Sequence, residues 1–393
     1  MINIGNAAKV SVGASLPMAF RIRSVVSGAV LAIVFALRSF LRVLHDRLAP
    51  PELVVTEHLT GFWRSAALMS AAELRIADRI GNKPIGIDDL ANAAQCPTDA
   101  LLRLLRPLAS LGFFAEDARG RWSNTAMSYA LRHGSGSGPT LGAAAEFQFK
   151  VQWQHWQRLA GALRQGLAAS ALDTGSASVQ STPQHTATLF DWLGSRPEEQ
   201  ALFHRAMESV TSLAVPALRV ALPWDHFPSV MDLGGGSGQF LSAMGTHPPS
   251  ATRMVLDQEH ARPEKMPPGV GFVAGDFFDL EGKLSCYDLI VLKHILHDWN
   301  DADCLKILRQ IHSNMDPHAC VAIIETTRVK GGGDLIAAFA DLEMLQSFQS
   351  RERSLEEFGS LLASSGFKLV RTVSTMSPFR ILLAVRHGAG SGA

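Results

Sequence analysis

The stretch "SVMDLGGGSGQF" (229–240) constrains the fold of this chain most tightly. An apolar strand runs into Gly234, Gly236 and Gly238, spaced as GxGxG, and a helix opens from about Gly238. A backbone without Cβ atoms can turn sharply there and admit a ligand closely. Strand–helix alternation continues downstream. "RMVLD" (253–257), "VGFVAGD" (270–276), "YDLIVLK" (287–293) and "ACVAIIET" (319–326) read as second to fifth strands, with helical patterns over 301–315 and 354–367. Such alternation predicts an α/β fold whose parallel sheet is covered on both faces. "KLVRTVST" and "FRILLAVR" read as two final strands, and the short link around Pro378 makes them antiparallel to each other.

The loop also limits the ligand. A dinucleotide fingerprint needs a glycine where Gln239 stands, and the GK[ST] of a phosphate loop is absent. An adenosyl ligand without a pyrophosphate fits better. Asp257, ending the second strand, can accept both ribose hydroxyls; Asp276, ending the third, offers an acceptor for an amine beside the apolar Phe277 and Phe278. The competing reading is a glycine-rich turn in an unrelated α/β domain.

The N-terminal half is helical. "GIDDLANAA" (86–94) and a second helix with Leu101, Leu104, Leu105, Leu108 and Leu111 at helical spacing precede "FFAEDARGRWSNT" (113–125), which reads as two strands around a turn. Thr98 is the expected N-cap of the second helix. Two helices and a hairpin make a winged helix, a fold that often binds DNA. Here only Arg103 and Arg106 interrupt the leucines, and Lys plus Arg equals Asp plus Glu at 36 each. A nucleic-acid reader needs more cationic surface, so an interaction or dimerisation module is expected, with no nucleic-acid partner. "HGSGSGP" (133–139) reads as a flexible break, 147–159 as an aromatic-rich helix, 170–187 as a loop and 197–218 as a long helix.

Cys96, Cys286, Cys304 and Cys320 are scattered without a CxxC pair. That suits a reducing, cytoplasmic setting and four small buried hydrophobes. "SVVSGAVLAIVFAL" (24–37) carries no charge and is flanked by Arg21, Arg23, Arg38 and Arg42. It is too short for a confident membrane span. It has signal-peptide proportions, but the favoured reading is a helix packed on the protein or lying at a membrane surface, with residues 16–43 the contact segment.

"LKHILHDWND" (292–301) holds His294 and His297 three residues apart. They could be metal ligands, packing residues, or a base beside a bystander. Zinc requires a third protein ligand and "HILHD" is not HExxH, so no metal is expected. His297 follows the fourth strand, at the carboxyl edge where α/β sheets bind ligands. An imidazole with its ordinary pKa near 6.5 is largely neutral at pH 7 and can take a proton.

Read together, "DLGGGSGQF", "LKHILHDWND" and "SFQSRERS" resemble the S-adenosylmethionine-dependent O-methyltransferases of the caffeic-acid, hydroxyindole and bacterial polyketide-tailoring type, over about 52–386. The resemblance implies a Rossmann-like class I methyltransferase sheet behind a winged-helix dimerisation domain, and a homodimer. It divides the chain into an extension (1–40), the dimerisation domain (41–135), a helical connector lining the substrate pocket (136–222) and the S-adenosylmethionine-binding domain (223–393). It implies His297 as general base with Glu325 and Glu352 flanking it. Cofactor contacts would come from Asp232, Gly234, Gly236, Gly238, Asp257, Asp276, Phe277 and Lys293. Phe203, Met207, His294, Met344 and Ser347 would line the acceptor site. His294 stands where plant members have tryptophan and Ser347 where they have asparagine, which argues against a plant phenylpropanoid acceptor. The implied reaction is methyl transfer to a hydroxyl of a small aromatic or polyketide-like metabolite. A second reading keeps the cofactor but catalyses hydroxylation, decarboxylation or ring closure, and a third is a winged-helix regulator that senses S-adenosylmethionine.

Overall fold

The computed structural model describes residues 33–34, 36–133, 140–166, 168, 188–244, 251–328 and 335–387. The break expected at 134–139, the loop over 170–187 and most of the apolar N-terminal run lie outside the described residues. The chain divides into two compact units: one is Phe35–Gly161 with Phe190–Leu213, the other chiefly Ala162–Leu189 with Ala214–Ala393. Both cut through the segment 136–222.

In the first unit the winged helix is present. Helix Ile87–Ala94 starts after Gly86 with Asp88 and Asp89 in its first turn, where carboxylates favour the positive helix end. Helix Thr98–Ser110 follows. Its N-cap is Pro97, not Thr98; the Thr98 hydroxyl instead donates to Asp88 Oδ1 at 3.0 Å, tying the two helices together. Leu101, Leu105 and Leu108 are buried against Ile76, Leu90, Phe114 and Trp122, while Arg103 and Arg106 face out. Ile85–Gly86 (β1), Phe114–Glu116 (β2) and Arg121–Asn124 (β3) form an antiparallel sheet in the order β1-β3-β2. β1 is too short to show any periodicity and was not expected.

The second unit is built on a seven-stranded sheet. Its strands are Ser229–Leu233 (β4), Thr252–Asp257 (β5), Gly271–Ala274 (β6), Leu289–Lys293 (β7), Cys320–Thr326 (β8), Phe367–Ser374 (β9) and Phe379–Arg386 (β10). Their order is β6-β5-β4-β7-β8-β10-β9. β4 to β8 run parallel, and β10 pairs antiparallel with both β8 and β9. Alternate residues of β7 feed opposite cores, as a sheet covered on both faces demands. Ile290 and Leu292 pack with Leu308 and Phe358, whereas Leu289 and Val291 pack with Leu218, Trp224 and Phe240.

Two expectations need correcting. β6 ends at Ala274, so Asp276 lies beyond the strand, in an isolated bridge to Asp279. Cys286 is exposed and Cys96 only partly buried; Cys304 and Cys320 alone are buried. Among the described residues no helix is long and apolar enough to cross a membrane.

Candidate active site

β4 and β7 are neighbours, and the segments leaving their carboxyl ends carry the two halves of the site. The first half is the glycine loop. Gly234, Gly236 and Gly238 have φ of 72, 53 and 75°, a region that costs any other residue strain. A Cβ on Gly234 would sit 2.4 Å from Ile295 Cδ1, and one on Gly235 would sit 2.5 Å from Asp232 Oδ2. Phe277 lies against the same turn, with Cε1 3.6 Å from that Gly234 position. Helix Gln239–Ala243 then opens on the left-handed Gly238.

Asp257 closes this loop from the end of β5. Its Oδ2 accepts from the Gly236 N–H at 2.9 Å and its Oδ1 from the Gln258 N–H at 2.7 Å. Asp276 Oδ1 accepts from the Phe278 N–H at 2.9 Å. Asp232 is 1% exposed, and neither of its carboxylate oxygens has a hydrogen-bond partner. Burial pushes its pKa up to about 7, with Lys293 opposing and Asp257 adding to the rise. A buried acid without donors is costly unless a ligand supplies them. Lys293, at the end of β7, is held below its ordinary pKa by burial, against the pull of Asp232 and Glu325. The glycine cradle, the orphaned carboxylate and the strand-end Asp257 fit an adenosyl amino acid carrying an ammonium group.

The second half is the turn after β7. His294 has φ 54°, unusual for a residue with a Cβ, and its N–H donates to Ile324 O at 3.1 Å. Burial, then the nearby Lys293 and His297, hold its pKa well below 6.5, so its imidazole is neutral. Its ring centroid lies 5.0 Å from that of His297 and 4.5 Å from that of Phe379. His297 sits in a short 3-10 turn, Leu296–Asp298. Its Nδ1 is 3.0 Å from Glu352 Oε1 and 3.7 Å from Glu325 Oε2, and its Nε2 is 3.5 Å from Asp298 Oδ1. Glu325 and Glu352 are almost wholly buried.

His297, Glu325 and Asp298 do not keep ordinary pKa values. Burial alone would lower that of His297, but Glu325, Asp298 and Glu352 override it and hold it up, to about 10. The sequence predicts an ordinary imidazole; the surrounding carboxylates instead raise the pKa of His297. Burial pushes Glu325 up to about 7 and Asp298 up to about 6, each against the attraction of His297.

The turn is fixed from two sides. Glu325 Oε1, at the end of β8, accepts from the Ile295 and Leu296 N–H groups at 3.1 and 3.0 Å. The segment Ser350–Ser354 grips it from the other side. Ser350 Oγ donates to the His297 carbonyl, and the fully buried Arg353 donates to Leu296 O (2.6 Å), Trp299 O (2.7 Å) and Asp301 Oδ1 (2.8 and 3.0 Å). A reciprocal capping box between Ser354 and Glu357 anchors that segment to helix Leu355–Ser364. Asp298 and Arg353 were not singled out from the sequence. The three charged residues of "SRERS" are the sequence signal for Arg353.

The expected acceptor-lining residues divide. His294 lies beside His297. Met344 and Ser347 are buried on helix Leu335–Phe348, and the Ser347 hydroxyl already donates to Glu343 Oε1 at 2.7 Å. Phe203 and Met207 belong to the other compact unit, one turn apart on helix Pro197–Ala221; Phe203 makes edge contacts with Phe147 and Phe190 at 5.5 and 5.9 Å.

A glycine-turned parallel sheet with one antiparallel strand inserted near its edge, and a buried histidine–acid cluster beside the turn, define the class as a methyltransferase fold. Known proteins narrow this. Residues 156–368 match the model of the O-methyltransferase domain and residues 56–133 that of the O-methyltransferase dimerisation domain. The chain is 30% identical to the phenazine O-methyltransferase PhzM of Lysobacter antibioticus, over 85% of this chain and 96% of that one. The crystal structure of LaPhzM superposes with a TM-score of 0.76 at 29% identity, covering 86% of this chain and 100% of its own. The O-methyltransferase NcsB1 of neocarzinostatin biosynthesis, solved with S-adenosylmethionine and 2-hydroxy-5-methyl naphthoic acid, superposes with a TM-score of 0.62 at 27% identity, covering 82% of this chain and 96% of its own. The chain belongs to the O-methyltransferase family, and it is an S-adenosylmethionine-dependent enzyme.

Proposed function

We propose that this enzyme methylates a hydroxyl of a small aromatic or polyketide-like secondary metabolite, with His297 as general base and Glu325 and Glu352 as its orienting carboxylates. One observation carries the reading: His297 Nδ1 lies 3.0 Å from buried Glu352, which leaves Nε2, 3.5 Å from Asp298 Oδ1, as the nitrogen to take the acceptor's proton. The relatives named for phenazine and naphthoate chemistry support an aromatic acceptor.

The bound cofactor supplies a methyl group made electrophilic by its sulfonium. The chain supplies the rest. Gly234, Gly236 and Gly238 admit the donor, Asp257 accepts from its ribose, Asp276 and Phe277 meet its adenine, and Asp232 accepts from its ammonium, with Lys293 alongside. Neutral His294 with Met344 and Ser347 would line the acceptor side of this unit. His297 Nε2 then takes the acceptor's proton. The carboxylates around the imidazole raise its proton affinity toward that of a phenol, whose pKa is about 10, and so favour the transfer. Less of the base is free at neutral pH, an effect that the nearby sulfonium opposes by repelling the imidazolium. No covalent enzyme intermediate is needed. The N-terminal unit would join two copies into a homodimer.

The decisive experiment incubates the enzyme with isotopically labelled methyl donor and a library of hydroxylated aromatics. A gain of one labelled methyl by mass spectrometry names the acceptor; unmethylated products that are hydroxylated, decarboxylated or cyclised would favour the alternative chemistry. A metal reading rests on a specific observation, because His297, Glu325 and Glu352 offer ligand atoms within 4.8 Å of one another. Chelation separates it from the proton reading.

A further inference from the structure

Residues 36–47 form a helix that precedes the match to the dimerisation model, which begins at residue 56. Leu37, Phe40, Leu41, Leu44 and, just past its end, Leu48 are between 43 and 80% exposed. At about 100° per residue these five occupy one arc roughly 100° wide. Arg38, Arg42 and His45, also exposed, lie on the polar side of the helix together with Asp46, which is 3.2 Å from His45. The charge pattern around it is one-sided. Lys9, Arg21, Arg23, Arg38 and Arg42 all precede Asp46, the first acidic residue of a chain whose total charge is balanced. The uncharged run 24–37 leads directly into this helix.

An apolar stripe flanked by Arg38 and Arg42, with the helix's one acid, Asp46, paired to His45 near its end, is complementary to a hydrophobic boundary edged with anions. We propose that this helix lies in the surface of an anionic bilayer, with Leu37, Phe40, Leu41 and Leu44 in the headgroup–acyl boundary and Arg38 and Arg42 toward lipid phosphates. Among the described residues no helix is long and apolar enough to span, and an attachment through this face would be peripheral and sensitive to salt. It brings the enzyme to acceptors that partition into lipid.

The test is co-sedimentation of the full chain with phosphatidylglycerol-rich vesicles and with pure phosphatidylcholine vesicles, at low and high salt. Binding should favour the anionic vesicles and fall with salt. Arg38→Gln with Arg42→Gln should weaken it about 25-fold, at about fivefold per cation. Phe40→Ser with Leu44→Ser should abolish it. Affinity for S-adenosylhomocysteine, measured by calorimetry, should stay unchanged in both variants, which excludes misfolding. The proposal is overturned if the chain ignores anionic vesicles, if it binds both vesicle types equally and the arginine variant binds like wild type, or if the serine variant splits a dimer in light scattering while vesicle binding persists.

Discussion

The glycine loop after β4 and the His297 turn after β7 leave adjacent parallel strands, yet they are shaped by opposite means. The loop is defined by what its residues lack. Without Cβ atoms at Gly234 and Gly235, backbone, Ile295 and Asp232 close up to leave a cradle, and a buried carboxylate there has no protein donor. The turn is defined by an excess of side-chain contacts. Three acids surround one imidazole, and Glu325, Ser350 and Arg353 hold its backbone. On the proposed function, a binding surface left unsatisfied until a ligand arrives and a proton-handling group fixed beforehand are different solutions to preorganisation. Substitutions in the two regions should therefore fail differently.

The largest separation should come from His297→Ala. We expect kcat to fall by about 10²- to 10⁴-fold with S-adenosylhomocysteine affinity unchanged by calorimetry. A variant that turns over normally would remove the base from the account. Gly234→Ala should give the converse. A left-handed alanine costs about 1–2 kcal/mol, beyond the collision with Ile295, so thermal stability and cofactor affinity both drop. Unchanged cofactor affinity would mean that the cradle is not the binding surface.

Arg353→Lys sharpens the comparison on the other side. Lysine keeps the charge but loses the fork that reaches two carbonyls and Asp301. Charged hydrogen bonds are worth about 1.5–3 kcal/mol each, so stability should fall, and kcat should fall with little change in the donor KM. A pure rise in donor KM would place Arg353 with the loop instead. Glu352→Gln tests the electrostatics. Because carboxylates raise the His297 pKa, the imidazolium persists to alkaline pH and activity climbs as pH rises from neutral toward 10. Removing one carboxylate lowers that pKa and moves the climb to lower pH; a displacement to higher pH would reverse the assigned sign. EDTA should have the smallest effect, none. Loss of turnover restored by a divalent cation would turn the histidine–acid cluster into a metal site.

The contrast also explains what was legible beforehand. The strands, the glycine loop and Asp257 are local patterns, since each follows from residues within a few positions. β6 is shorter than its pattern, leaving Asp276 outside it, because the pairing to β5 ends at Ala274, opposite Asp257. Thr98 is not the cap because the helix already includes it, and its hydroxyl donates to Asp88 instead. The His297 pairing with Glu325 and Glu352 came from family resemblance rather than spacing, as those acids lie on other elements. The elevated His297 pKa, the left-handed His294 and the Arg353 grip depend on groups converging from β8 and the 350–354 segment, which no single stretch encodes.

The central claim is that His297 takes the proton from the acceptor oxygen. It is tested most directly by single-turnover methyl transfer to a phenolic acceptor, comparing wild type with His297→Ala from neutral pH to beyond the phenol's own pKa of about 10. The account predicts a wide gap at pH 7 that closes as the acceptor ionises in solution and no longer needs a base. Equal rates at pH 7, or a gap that stays constant once the phenol is fully ionised, would contradict it.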